Sequence, residues 1–342
     1  MARLKEAPRI PTDSESLMIS VKLDSAASPD PPPSPKKVKP DRVARAKANR
    51  RAMIGSIIIG SIVVHALILV VFAAWKVASP SLDQTATLQP GWIAMIWVRN
   101  LVIVTVVAGT LHLWFHRYAL QGEELKYDPR PFPRKGRMFT LNDQVLDNMV
   151  WTLASGVTVW SALEVLIWWC MANGIVPVTT FADTPVWFVA FFFLIPVWES
   201  FYFYWIHRLL HTDLFYRFHA LHHRNTDIGP WSGLSMHPVE HLFYFGTVII
   251  HFVLPTHPVH LIFHLMFYGL LAITSHTGFE GLLFRNKKRM HLGNFHHQLH
   301  HRYFEVNYGN LDVPWDKLFG SFHDGTDAGK AAMKARLQAR KR

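Results

Sequence analysis

Four long apolar runs constrain the fold of this chain more than any other feature, because each can cross a membrane as a single helix. The hydrocarbon core of a bilayer requires about 20 apolar residues per helix. The runs cover residues 53–75, about 92–115, about 148–172 and about 185–206. Half of the 342 residues are hydrophobic, and only 17% are charged. The sequence therefore predicts an all-α, polytopic membrane protein.

A fifth apolar stretch, about 242–275, contains two prolines three residues apart, Pro255 and Pro258. Proline lacks a backbone N–H and interrupts a helix. We therefore expect a re-entrant helical hairpin that enters the membrane and returns to the same side. The predicted fold has about four transmembrane helices, this hairpin, and a cytosolic helical cap rich in histidine.

The distribution of basic residues predicts the side that each loop faces. Loops 79–90 and 173–184 contain no Lys or Arg, whereas loop 117–138 contains six. Positive residues remain on the cytosolic side of membrane proteins. The N-terminus, loop 117–138 and every histidine cluster are therefore expected in the cytosol. The membrane is either a bacterial inner membrane or the endoplasmic reticulum, because both follow this rule.

Composition argues against two other classes of protein. The net charge of +11 follows from membrane topology, because the basic residues lie in polar segments between apolar runs, so it does not indicate nucleic-acid binding. Cys170 is the only cysteine, which excludes an intrachain disulfide and metal sites built from several thiolates.

Histidine recurs at helical spacing in the second half of the chain. Of the 21 histidines, 17 lie between His207 and His301. Side chains at i, i+3 and i+4 project from one face of a helix, so three histidine-bearing faces are expected. They carry His207 and His211; His219, His222 and His223; and His297, His300 and His301. Eight imidazoles are too many for one four-coordinate metal, and buried imidazoles need partners, so the spacing predicts a two-metal site.

The identity of the metal does not follow from the ligands alone, because imidazole suits Fe, Cu, Zn and Ni. The sequence contains neither the HExxH motif of many zinc hydrolases nor the ExxH pairs of carboxylate di-iron proteins. A cytosolic site beside a bilayer indicates oxidation of lipid carbons, which requires activated O₂. This setting favours iron.

Five histidine motifs in a fixed order resemble the fatty acid hydroxylase/sterol desaturase superfamily of integral-membrane, histidine-rich di-iron enzymes. The motifs are HRLLH at 207–211, HALHH at 219–223, MHPVEH at 236–241, SHTGFE at 275–280 and HHQLHH at 296–301. The sequence NYGNLDVPWDKLFGSF at 307–322 then resembles the closing signature of the superfamily. The resemblance covers about residues 190–325.

The resemblance implies that the eight histidines of the three core motifs hold two Fe ions. His276 is implied as an additional ligand, and His237 as either a ligand or a group that orients one. Some members carry a further histidine where this chain has Glu280. His241 and His296 are expected to orient ligands, while the remaining histidines of the apolar segments are expected to pack between helices. Glu199 and Glu240 are candidates to accept ligand N–H bonds, and Asp316 is a candidate to pair with a basic group.

Composition, the apolar runs and the resemblance together divide the chain into regions. The expected regions are a disordered basic and Pro-rich tail at 1–52, transmembrane helices with a cytosolic loop at 53–189, the fatty acid hydroxylase-type di-iron domain at 190–325, and a basic tail at 326–342.

The function implied by the resemblance is hydroxylation of a lipid C–H bond with O₂ as co-substrate. A separate electron donor, such as cytochrome b5, a ferredoxin or a reductase, is expected because the chain contains no Gly-rich dinucleotide motif and no HPGG haem motif. Desaturation at the same metals is an alternative. A membrane carrier with bis-histidine haem would instead need facing histidines inside the transmembrane helices. A metal transporter would need ligands near the membrane midplane. The sequence leaves the lipid undetermined.

Overall fold

The computed structural model describes residues 67, 69–128, 137–285, 287–310 and 314–340. The predicted N-terminal tail and most of the first apolar run, 53–75, lie outside these residues. After a helical segment at 69–77, the first helices are α1 (Leu82–Thr85), α2 (Pro90–His112), α3 (Gln144–Val150), α4 (Val157–Ala172) and α5 (Pro185–Leu210). The later helices are α6 (Tyr216–His223), α7 (Pro238–Phe245), α8 (Pro258–Ser275), α9 (Phe295–Tyr303), α10 (Trp315–Leu318) and α11 (Asp327–Arg340).

Shorter helical turns extend or connect these helices. Two π-helical turns, Leu113–Arg117 and Trp151–Gly156, continue α2 and join α3 to α4. Two 3₁₀ helices, Pro230–Leu234 and Gly246–Phe252, flank α7. Proline occupies the first turn of α2, α5, α7 and α8, where its missing N–H costs no helical hydrogen bond and its fixed φ suits the helix.

Among the described residues, four helical stretches are long and apolar enough to cross a membrane: 90–117, 144–172, 185–210 and 258–275. Together with the mostly helical chain, they confirm the predicted all-α, polytopic fold class. The first three correspond to predicted runs, whereas the fourth, α8, is the second arm of the predicted hairpin. The break expected from the two prolines is present, because α8 begins at Pro258 after the 3₁₀ helix. The re-entrant path of the hairpin stays a prediction.

The end of α8 packs closely against the 3₁₀ helix Pro230–Leu234 because glycine occupies the contact. A Cβ at Gly233 would lie 2.3 Å from the carbonyl oxygen of Ala272. One turn earlier in α8, a Cβ at Gly269 would lie 2.5 Å from the ring of Trp160. Any side chain at either position would therefore push α8 away from its neighbours.

A short β-hairpin, which the sequence did not predict, connects α8 to α9. Strands β1 (Gly281–Phe284) and β2 (Lys287–His291) are antiparallel, with Gly281 opposite His291. The hairpin brings the histidine motif of α9 back beside the end of α8. It is the one sheet among the described residues, so the fold remains essentially helical.

A buried ion pair joins α2 to α4. The guanidinium of Arg99 donates to Glu164, and the Asn100 side chain donates to Glu164 Oε2 at 3.0 Å and to Ser161 Oγ at 3.1 Å. Arg99 also donates to Ser79 Oγ at 2.8 Å. Because both helices are candidate membrane spans, these charges face each other inside the protein, as intramembrane charges generally do.

Candidate metal centre

Nine of the ten histidines predicted as ligands converge into two groups. The five-histidine group contains His207 from α5, His211 directly after it, His219 and His223 from α6, and His300 from α9. The four-histidine group contains His222 from α6, His276 directly after α8, and His297 and His301 from α9. Within each group, one nitrogen from every ring lies within 4.8 Å of the corresponding nitrogen of every other ring. The structure therefore gathers nine of the predicted ligands into two adjacent groups, and the two-metal site stays a prediction.

Each HxxHH motif contributes to both groups, a division that spacing alone did not predict. In α6, His219 and His223 enter the five-histidine group and His222 enters the other. An α-helix advances about 100° per residue, so i and i+4 diverge by about 40°, whereas adjacent residues diverge by about 100°. The i, i+4 pair therefore shares one site, and the histidine between them points to the second.

In α9, the i, i+4 pair of histidines enters the other group. His297 and His301, four residues apart, enter the four-histidine group, and His300 enters the five-histidine group. The two short helices α6 and α9 thus hold both groups together.

Fixed acceptors orient several of these rings through Nδ1. The Nδ1 atoms of His207 and His300 each lie 2.6 Å from a backbone carbonyl oxygen, that of Tyr308 and of Val306 respectively. His276 Nδ1 lies 2.7 Å from the carbonyl oxygen of Ala272. A carbonyl oxygen only accepts, so these three Nδ1 atoms carry the hydrogen and their Nε2 atoms present lone pairs.

The five-histidine group contains a triangle of nitrogens that hydrogen bonds cannot satisfy. The Nε2 atoms of His211, His223 and His300 lie 3.0 to 3.1 Å from one another. Each neutral imidazole nitrogen carries at most one hydrogen, so at least one of the three contacts must join two lone pairs or two N–H groups. A cation among the three nitrogens removes this conflict.

The four-histidine group repeats the arrangement. The Nε2 atoms of His276, His297 and His301 lie 3.1 to 3.2 Å apart. A metal about 2.1 Å from each imidazole nitrogen places neighbouring ligand nitrogens roughly 3.0 to 3.4 Å apart. Both triangles therefore have the dimensions of a coordination shell, and the residues fit the pair of metal ions that the superfamily implies.

Burial keeps the ligand imidazoles neutral. Burial, followed by the charge of neighbouring imidazoles, lowers the pKa of His219, His222 and His223 well below its ordinary value. Burial also lowers the pKa of His276 to about 4. Neutral rings are the form that binds metal, because protonation removes the coordinating lone pair.

The remaining predicted site residues occupy different positions. The structure brings His237 to neither group. Its Nδ1 accepts the Val239 N–H at 3.1 Å at the start of α7, and its ring packs 5.0 Å from that of Phe218. His237 therefore caps the start of α7 through Nδ1, and its ring lies outside both groups. Glu240 contacts His219 Nδ1 at 2.6 Å, and Asp316 contacts His296 Nε2 at 3.0 Å.

His241 is buried beside the centre without joining it. Its Nδ1 lies 2.9 Å from Ser155 Oγ, and its Nε2 lies 3.1 Å from the carbonyl oxygen of Leu234. Burial lowers the pKa of His241 to about 3. The ring therefore forms part of the packing between α7 and the helix that ends at Ala172.

The pKa of His241 predicts loss of stability in acid. The unfolded chain protonates this ring near pH 6.5, while the folded chain does not, so the free energy of unfolding falls as the pH drops from about 6.5 toward about 3. The expected loss from this group is about 2 kcal/mol at pH 5. Chemical unfolding of metal-free protein in detergent at pH 7.5 and pH 5 measures it. The difference should shrink in His241→Gln, and an equal difference in both proteins would contradict the prediction.

A small cavity of about 30 Å³ adjoins both histidine groups. Its polar wall includes His207, His219, His222, His276 and His297. Its apolar lining includes Phe203, Ile206 and Leu210 near the end of α5, and Leu271 and Ala272 near the end of α8. The cavity lining therefore combines histidines of both groups with apolar side chains.

Comparison with known proteins agrees with this geometry. The family model for fatty acid hydroxylase matches residues 191–321, which include all nine converging histidines. A C-4 methylsterol oxidase from Schizosaccharomyces pombe is 33% identical over 159 residues, 44% of this chain and 50% of that protein. The region 191–321 is similar to the fatty acid hydroxylase/sterol desaturase superfamily.

Further relatives of the same superfamily differ in their named reactions. A lathosterol oxidase from Mus musculus is 33% identical over 132 residues, 37% of this chain and 43% of that protein. A cholesterol 25-hydroxylase-like protein from Danio rerio is 30% identical over 182 residues, 47% of this chain and 65% of that protein. The chain spans about half the length of the first curated relatives that it matches. No solved structure matches it.

The sequence did not predict the backbone groups that orient His207, His276 and His300. The carbonyls of Val306, Tyr308 and Ala272 have no side-chain signature. One signal was available, because Asn307 adopts a left-handed conformation with φ of 56°, and Asn before Tyr-Gly is typical of a turn. That turn presents two carbonyls to the five-histidine group.

Proposed function

We propose that this chain is a membrane di-iron oxygenase that hydroxylates a C–H bond of a lipid, using O₂ and electrons from a separate donor. The observation that carries the proposal is the pair of nitrogen triangles, whose close contacts a cation in each group would satisfy. Imidazole ligands suit iron, and bound iron would supply the activation of O₂. The substrate would come from the bilayer, because α5 and α8 are candidate membrane spans.

The residues around the cavity would bind and orient the substrate. Phe203, Ile206 and Leu271 offer apolar surface to a hydrocarbon chain or ring system, which burial of apolar area favours. The same side chains exclude water from the reacting carbon. Glu240 contacts His219 Nδ1 and would hold that ring in the orientation that presents Nε2 to the metal.

Desaturation at the same centre is the second candidate function. Several relatives are named as desaturases, among them a Δ(7)-sterol-C5(6)-desaturase from Arabidopsis thaliana that is 29% identical over 143 residues. Hydroxylation and desaturation both begin with removal of hydrogen from carbon, so the same site would serve either. The names of these relatives make sterols the first substrates to test.

The topology proposed with this function places the N-terminus and the metal centre in the cytosol, with residues 190–325 as the catalytic domain. The support is the charge distribution of the loops, since segment 117–138 is basic and 173–184 contains no Lys or Arg, and positive residues remain on the cytosolic side. The electron donor would then approach from the cytosol. A cytochrome b5, a ferredoxin or a reductase would fit this role.

Lipid analysis of cells that express the chain tests the function. We expect a sterol or acyl lipid that gains one oxygen atom, or that loses two hydrogen atoms if the centre desaturates. A His301→Ala variant produced at the same level is the control and should form no product. Identical lipid profiles for the two proteins, with a competent electron donor present, would contradict the proposal.

A further inference from the structure

The peptide segment Val306–Gly309 holds two ligands of the five-histidine group. The carbonyl of Val306 accepts from His300 Nδ1, and the carbonyl of Tyr308 accepts from His207 Nδ1, both at 2.6 Å. The two histidines come from α9 and α5, so this segment sets the relative orientation of rings that are distant in the chain. The position of its two peptide units therefore affects one metal site directly.

A single carboxylate fixes the peptide unit that carries the Tyr308 carbonyl. That unit consists of the Tyr308 carbonyl and the Gly309 N–H, and the Gly309 N–H donates to Asp316 Oδ2 at 2.9 Å. The preceding N–H, that of Tyr308, donates to Asp316 Oδ1 at 2.8 Å. The carboxylate, the peptide and the imidazole of His207 thus form one continuous line of hydrogen bonds.

The second peptide unit is anchored through Ser321. The Asn307 N–H, which belongs to the unit carrying the Val306 carbonyl, donates to the Ser321 carbonyl at 2.9 Å. Ser321 is fixed in turn by Asp316, because its hydroxyl donates to Asp316 Oδ1 at 2.6 Å and its N–H donates to the Asp316 carbonyl at 2.8 Å. Both ligand-orienting units therefore depend on the same residue.

The burial and charge of Asp316 suit a residue that anchors two peptide units. It is 3% exposed, and its carboxylate receives a fourth contact from His296 Nε2 at 3.0 Å. Burial acts to raise its pKa, but hydrogen bonds from His296, Ser321 and Gly309 outweigh burial and hold the pKa below its ordinary value. A charged acceptor polarises a hydrogen-bonded peptide and strengthens its carbonyl as an acceptor.

We propose that Asp316 is a positioning residue for the five-histidine group, which orients and polarises His207 and His300 through the two peptide units of Val306–Gly309. The inference rests on the proposed two-metal centre. A stronger acceptor at Nδ1 makes the imidazole a better ligand at Nε2. Asp316 touches neither a ligand of this group nor the cavity, so its effect passes through the backbone.

Asp316→Asn tests the proposal, because an amide keeps the volume but replaces one acceptor oxygen with a donor. The Gly309 N–H or the Tyr308 N–H then loses its partner. We expect the metal of the five-histidine group to be released to a chelator about 10- to 100-fold faster, the usual effect of losing a group that orients a ligand. Ser321→Ala removes only one of the contacts and should give a smaller increase.

The decisive experiment measures metal release from each histidine group separately. His301→Ala leaves the five-histidine group complete, and His300→Ala leaves the four-histidine group complete. Asp316→Asn should accelerate metal release in the His301→Ala protein and leave the rate unchanged in the His300→Ala protein. Equal acceleration in both would mean that Asp316 acts only through general stability, and no acceleration in either would overturn the proposal.

Asp147→Asn is the matched control. Asp147 is a buried carboxylate, 1% exposed, that pairs with Arg224 at 2.8 Å but binds no peptide unit that holds a ligand. Its substitution should lower the melting temperature without selective metal release. Wild-type protein that retains no metal would contradict the proposed function itself, whereas wild-type protein with two metals and an unaffected Asp316→Asn variant would contradict only this inference.

Discussion

His300→Ala and His301→Ala are each expected to remove a different metal ion from the protein and to abolish lipid oxidation. His300 belongs to the five-histidine group and His301 to the four-histidine group, although the two are adjacent in α9. Removing either opens one of the nitrogen triangles. Because even groups that only orient ligands contribute about 10- to 100-fold to affinity or activity, loss of a ligand should lower turnover by more than about 100-fold.

Metal content per chain, measured after purification in detergent, checks this expectation. Wild-type protein should contain about two iron ions per chain and each variant about one. Imidazole added to the buffer should replace the missing ring and restore part of the lost metal. His237→Ala is the control, since His237 lies in neither group and should keep both metals and full turnover. Two metals in His300→Ala, or a metal lost from His237→Ala, would show that the ligands are grouped differently.

Arg99→Met is expected to destabilise the protein strongly, because it leaves the carboxylate of Glu164 buried without its cation. Glu164 is 1% exposed and belongs to the candidate membrane span 144–172, while its partner Arg99 belongs to the span 90–117. Removing one partner of a buried ion pair costs about 3–5 kcal/mol, whereas replacing both partners with apolar groups is often close to neutral. The melting temperature in detergent should therefore fall sharply in the single variant.

The double variant Arg99→Met/Glu164→Met provides the comparison. It removes both charges and should recover most of the stability that Arg99→Met loses. Because the pair is distant in sequence from every ligand, metal content at temperatures below unfolding should match that of the wild type in both proteins. A double variant less stable than Arg99→Met would show that the hydrogen bonds of Asn100 and Ser79 with this pair, rather than the unpaired charge, dominate.

The predictable part of the centre was the part carried by side chains at helical spacing. The motifs at 207–211, 219–223 and 296–301 lie on helices or directly at their ends. Their spacing therefore predicted three helix faces that carry histidines. The division of each HxxHH motif between two groups also follows from helix geometry. Predicting that division also requires the positions of the other histidines on both sides of α6 and α9, and these positions depend on the tertiary structure.

The unpredicted part depends on backbone groups and on distant contacts. The carbonyls that orient His207 and His300 come from a segment up to 101 residues away in sequence, and any residue can supply a carbonyl. The β-hairpin between α8 and α9 was missed because its strands are four and five residues long and are flanked by strong helical signals. The place of His237 outside both groups could not be predicted, because a histidine before proline can serve either as a ligand or as a helix cap.

The position of the cavity bears on which carbon of a lipid would react. Its apolar wall comes from the final turns of α5 and α8, and His207 lies three residues before the end of α5, which is about 5 Å of helix. A lipid whose polar group stays at the membrane surface would thus present carbons near that group, and its distal end would extend toward the bilayer centre. The carbon that reacts would then be determined by the depth of the cavity below the membrane surface, which the lengths of α5 and α8 set.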